Sequence, residues 1–179
     1  MRGKISGLLA ALAVLGAASA ARADDMAMGP AGLVGNDATM LDLAAGSSAG
    51  LGGHKEFETY GGRAELRFGD KFWYIGPAVG VVANARGGFA GYAGGYADIR
   101  LGQIMATPLL AVSGWSRGGK TDINLGGPVE FRSEITISYR LPYDMRIGVM
   151  VAHMSNAGLY HLNPGENEIM ASFAFPLRF

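Results

Sequence analysis

The sequence predicts an all-β fold, an eight-stranded antiparallel transmembrane β-barrel with short periplasmic turns and longer extracellular loops. Three observations carry that expectation. Polar and apolar residues alternate with period two over long windows, which is the pattern of strands with two unlike faces. Short connections alternate with longer ones along the chain, as barrel turns and loops do. The final window closes an alternating apolar face on a terminal phenylalanine, Phe179.

The N-terminus reads as an export signal. "MRGK" is a positive n-region, "ISGLLAALAVLGAASA" an apolar core, and Ala21-Arg22-Ala23 a small-x-small cleavage site. Residues 1–23 are therefore expected to be a cleavable signal peptide and residues 24–179 the barrel domain. The core is Ala-rich and short for a membrane span of roughly 20 residues. With 15 Lys and Arg against 15 Asp and Glu, the chain has no basic footprint for nucleic acid. It has no cysteine, which removes thiol catalysis and thiolate metal sites. Its 29 glycines favour turns and close backbone approach over long helices. No later segment reaches helical transmembrane length without a charge or glycine, so a membrane-embedded chain must be a closed barrel.

The strands follow in order. A weak first strand covers Thr39 to Ala49. Tyr60, Gly62, Ala64, Leu66 and Phe68 then alternate with Gly61, Arg63, Glu65 and Arg67, and Ala97, Ile99 and Leu101 with Tyr96, Asp98 and Arg100. The clearest window is "VEFRSEITISYRL", Val129 to Leu141, with apolar residues at most odd positions and only polar ones at even positions. It is nearer the ~9–11 residues of a bilayer-crossing strand than the usual ~5–6. In the last strand Ile169, Ala171, Phe173, Phe175, Leu177 and Phe179 share one face.

A soluble β-sandwich also alternates. Strand length, aromatic residues near strand ends (Trp73, Tyr74, Trp115, Tyr139, Phe179) and the rhythm of turns favour the barrel. "FGDKFW", "RLGQI" and "LPYDM" are tight; "SGWSRGGKTDINLGG" and "NAGLYHLNPGE" are long. Arg63, Glu65, Arg67, Asp98, Arg100, Glu130, Arg132, Glu134 and Arg140 fall on the inner face. An eight-stranded barrel has room only for side chains, so they are expected to form a paired plug, not an ion channel.

That frame places one pair of residues. From the tight turn "LPYDM" the chain climbs as "RIGVMVAHMS", with Ile147, Val149 and Val151 on one face. His153 and Ser155 continue that lipid-facing side at the extracellular end. Serine needs a base to become a nucleophile, and histidine two residues away is in the right register to supply one. Same-face neighbours stand ~7 Å apart at the backbone, so the side chains must lean together.

"HMSNAGL…NPGENE" resembles the signature of the lipid A 3-O-deacylase (PagL) family of bacterial outer-membrane barrels, and "LGGPVEFRSEITISYRL" is similar to the strand before it. The resemblance implies a serine esterase that removes the 3-linked hydroxyacyl chain of lipid A in the outer leaflet. It also implies His153 as general base, Ser155 as nucleophile, and Asn156 and Gly158 as oxyanion-hole residues. The family glutamate that orients the histidine has a looser match. By spacing and alternation Asn167 falls at its position with an outward side chain, while Glu166 and Glu168 point inward. A bulge at the strand start would turn Glu168 outward, and Glu168 is then the expected carboxylate, with Asn167 or Glu166 as the alternatives.

His54 and His161 read as solvated loop residues rather than metal ligands. No cofactor is implied. The expected partners are lipid A within lipopolysaccharide and the surrounding outer-membrane lipids, with no nucleic acid; a homodimer is left open. Two other readings stay open, a lipolytic barrel of other specificity such as a phospholipase, and a non-catalytic small structural barrel.

Overall fold

In the computed structural model, residues 25–48 and 55–177 are described. The expected signal peptide, its cleavage site, His54 and Phe179 lie outside them. The strands are β1 (Met26–Met28), β2 (Ala31–Leu33), β3 (Thr39–Ser48), β4 (Thr59–Arg67), β5 (Gly76–Asn84) and β6 (Phe89–Tyr96). They continue with β7 (Ile99–Leu101), β8 (Ile104–Ser116), β9 (Val129–Arg140), β10 (Arg146–Ser155) and β11 (Glu166–Leu177).

Eight of them close a barrel in the order β3-β4-β5-β6-β8-β9-β10-β11, with β11 pairing back onto β3 from Glu168↔Ser48 to Leu177↔Thr39. All neighbours are antiparallel, so no backbone edge faces lipid around the ring. Among the described residues no helix is long and apolar enough to cross a membrane, and the crossing is made by strands.

β6 and β7 are one wall strand divided by a proline. Tyr96↔Leu109 and Ile99↔Ala106 share one register along β8. Between them the Ala97 N–H donates to the Pro108 carbonyl at 3.1 Å, and Pro108 has no N–H to return the bond. Beyond the break, β7 pairs with β2 instead of β5, and β2 with β1. This hairpin was not expected from the sequence, because "MAMGPAGL" carries no polar alternation to mark strands. Glycine lets the wall curve nearby, since a Cβ on Gly94 would lie 2.0 Å from the Leu110 carbonyl oxygen of the next strand.

The outer wall is apolar: Leu43, Val79, Val81, Leu110, Val112, Ile135, Ile137, Val149 and Phe173 are exposed. Inside, a charged layer separates two apolar clusters. Arg67 meets Asp42 at 2.9 Å and Glu65 at 2.6 Å, while Arg63 meets Glu65 at 2.9 Å and Asp42 at 3.2 Å. Arg132 meets Glu168 at 2.7 Å and Glu134 at 3.0 Å, with its guanidinium 5.0 Å from the Tyr92 ring centroid. Such pairs are retained because each charge would be far costlier in the barrel alone.

Three inner-face expectations need correction. Arg100 and Arg140 stay half-exposed at strand ends on the periplasmic rim, paired with Asp25 and Asp144 at 2.9 and 3.1 Å. Glu130 is buried but belongs to no ion pair among the described residues. Trp115 is not an interfacial anchor. It points inward and packs with Ile123 and Leu125, which the loop at 117–128 folds over the barrel mouth. Trp73, 80% exposed, does sit outside on a periplasmic turn, stacked on Phe72.

Candidate active site

His153 lies on the outer face of β10, exposed, and Ser155 follows two residues later at the strand end, half-buried. Inward-facing Met154 separates them and packs in the upper core cluster, which fixes the phase of the strand. The lipid-facing register expected for the pair is therefore the one the chain adopts. Below them on the same face, Val151 pairs with Ile135 on β9 and Ile169 on β11, an entirely apolar row.

The row at the height of His153 is different. His153 pairs with Ser133 on one side and Asn167 on the other, so three polar residues stand side by side across three strands. Asn167 Oδ1 lies 2.7 Å from His153 Nδ1. An amide oxygen only accepts, so Nδ1 carries a proton, and in the neutral ring the lone pair is then on Nε2. The free edge of the ring lies over Gly165, where a Cβ would come within 2.8 Å of Cε1 and 3.4 Å of Nε2. Gly165 has φ +68°, so glycine there meets both the backbone and the space requirement.

Glu168 is not beside His153. β11 starts without a bulge, alternation holds, and Glu168 is buried inside the barrel with both carboxylate oxygens on Arg132, at 3.1 and 2.7 Å. The pull of that guanidinium is the physical reason it stays inside. Glu166 also points inward and accepts a hydrogen bond from the Ser48 hydroxyl.

Asn156 is fully buried, and its side chain ties the loops together. Its Nδ2 donates to the Leu125 and Leu162 carbonyls, both at 2.7 Å, and its Oδ1 accepts the Gly158 N–H at 3.0 Å. Its backbone N–H donates to Asn163 Oδ1 at 3.0 Å. The donors expected to face an oxyanion are thus committed to protein acceptors. Asn163 has no expected role from the sequence; it is exposed, and its Oδ1 accepts the N–H of the residue after Ser155. Its signal was its place in "NPGENE", the second half of the family resemblance, which carries no expected role for it. His161 is exposed in the same loop.

A closed eight-stranded barrel with a filled interior and a His–Ser pair on its outer wall defines a membrane-embedded protein whose candidate chemistry faces lipid. A family model described as lipid A 3-O-deacylase (PagL) matches residues 34–176, and the chain belongs to that family. Its fold is similar to that of a solved structure described as the outer membrane enzyme PagL, at 18% identity and TM-score 0.63, covering 77% of this chain and 99% of that one. A second similar structure, from the de novo design of transmembrane β-barrels, shares 11% identity at TM-score 0.52, covering 78% and 95%. No curated protein sequence matches the chain. The protein is accordingly an outer-membrane lipid A deacylase.

Proposed function

We propose that this deacylase works as a serine esterase that releases a 3-linked hydroxyacyl chain from lipid A in the outer leaflet. One observation supports it above the rest. On the lipid-facing wall, two residues from Ser155, Asn167 holds a histidine whose neutral form has its lone pair on Nε2.

In this reading His153 Nε2 takes the Ser155 proton while Oγ bonds to the ester carbonyl carbon. The carbon–sugar oxygen bond then breaks, and the same proton passes to the sugar oxygen. Water, deprotonated by His153, attacks the acyl-serine; the Oγ–carbon bond breaks and the proton returns to Ser155. The Asn163 amide is the candidate donor for the negative oxygen, and Asn156 and Gly158 serve by holding that loop in shape. Asn167 replaces the carboxylate of the expected triad. It fixes the tautomer but gives the imidazolium no full charge.

Lipid A from a host expressing the protein, analysed by mass spectrometry, is expected to lose the mass of one hydroxyacyl chain relative to the host alone. Unchanged lipid A with the barrel folded in the membrane would sink the proposal, and phospholipid hydrolysis would then be the next assay. The role of Asn167 has its own test. Asn167→Ala is expected to lower kcat by up to about ten-thousandfold, the loss when a catalytic histidine no longer has the group that fixes its tautomer. Asn167→Asp keeps the acceptor and adds charge, so its kcat should at least equal wild type. An alanine variant with unaltered kcat would show that the 2.7 Å contact does not position the ring.

A further inference from the structure

Ser133 has no place in the scheme above, and its position is unusual. It is exposed on the outer face of β9, directly across from His153. A polar residue near the headgroups would need no comment, but Ser133 is not at the polar boundary. Val129 and Phe131, on the same face and nearer the extracellular rim, are apolar and 39% and 41% exposed. Ile135 and Ile137 follow below it at 44% and 46%. A hydroxyl on an otherwise apolar wall costs free energy unless something accepts or donates to it. His153 is held from the opposite flank by Asn167, and its free edge lies over Gly165, so the ring is not turned toward Ser133. Ser133 makes no side-chain hydrogen bond to any described residue.

A substrate supplies the missing partner. An ester held at Ser155 sits at the top of the wall, and its acyl chain must run down toward the bilayer centre. On the β11 flank that route meets Asn167 and Ile169, with Asn167 already bonded to the histidine. On the β9 flank it passes Ser133 and then Ile135. Ser133 lies one strand across and two residues below Ser155, since Ser155 pairs with Phe131. That is about 5 Å sideways and ~7 Å down at the backbone. The part of the chain that reaches this point is its first few carbons.

We propose that Ser133 is a specificity-determining residue that hydrogen-bonds a hydroxyl on the third carbon of the acyl chain. The inference rests on the esterase reading of Ser155 and His153 and names what that site selects. A site that pairs a hydroxyl with a hydroxyl discriminates against chains lacking it, because Ser133 is then left facing hydrocarbon.

The test compares p-nitrophenyl 3-hydroxydecanoate with p-nitrophenyl decanoate, using the folded barrel in detergent micelles. Wild type is expected to prefer the hydroxylated ester about tenfold in kcat/KM, equivalent to ~1.4 kcal/mol. Ser133→Ala should erase that ratio, and Ser133→Thr, which keeps the hydroxyl, should restore it. A wild-type ratio near one, or a ratio unchanged in Ser133→Ala, overturns the proposal and leaves the esterase reading standing. Hydrolysis of neither ester by wild type also overturns the proposal, and the esterase reading then stands or falls by the lipid A mass spectra.

Discussion

Ser155→Ala is expected to abolish lipid A deacylation, with kcat down at least about a thousandfold, while the barrel folds and inserts as before. The size of the effect follows from the proposed mechanism, in which no acyl-enzyme forms without Oγ and a residual rate comes only from substrate held near a base. The fold is spared because the side chain is half-buried at a strand end, outside both core clusters. Lipid A mass spectra from hosts carrying each variant give the readout, with electrophoretic mobility of unheated samples as the check on folding. Deacylation persisting in Ser155→Ala would remove the serine mechanism outright. His153→Ala should fall as far, since in the proposed mechanism nucleophile and base act as one unit and their effects do not add.

The largest expected effect on stability lies on the other side of the same strands. Arg132→Ala should destabilise the barrel by about 3–5 kcal/mol, the range for stranding a buried charge. Arg132 is the cation that both oxygens of Glu168 bind, and it also bridges to Glu134, all three side chains being almost wholly buried. Glu134 retains Arg63 and Arg67 at 3.6 Å; among the described residues Glu168 has no other cation in its ion pairs. Adding Glu168→Gln to Arg132→Ala should therefore recover part of the loss, and a urea midpoint in micelles measures both. Equal midpoints for wild type and Arg132→Ala would show that the inner charges are solvated and carry no weight in folding.

How much was legible in the sequence can be read from particular strands. β9 was plain because its inner face is wholly polar, so phase, length and outward residues all follow from alternation. β8 was not, because Leu109, Leu110, Ala111 and Val112 are apolar on both faces; nothing in that run says that Trp115 turns inward. The same contrast governs the site. His153 and Ser155 were placed by strand phase alone. Alternation also put Asn167 outward, and the structure keeps that phase, whereas the family's carboxylate had drawn the expectation to Glu168. The anchoring of Glu168 by Arg132 joins residues 36 positions apart, which no local pattern encodes. Asn156 and Asn163 depend on the path of a loop, where periodicity is silent.

The filled interior has a last consequence, for how substrate is supplied. In the proposed mechanism the described side chains that fill the barrel leave no route to Ser155 from inside, and the site opens sideways onto a single leaflet. Encounter is thus a two-dimensional event. The variable that governs turnover is the mole fraction of acylated lipid around the wall, not its amount in the surrounding solution. Saturation is set by the composition of the membrane, and a competitor gains access only by first dissolving in that leaflet.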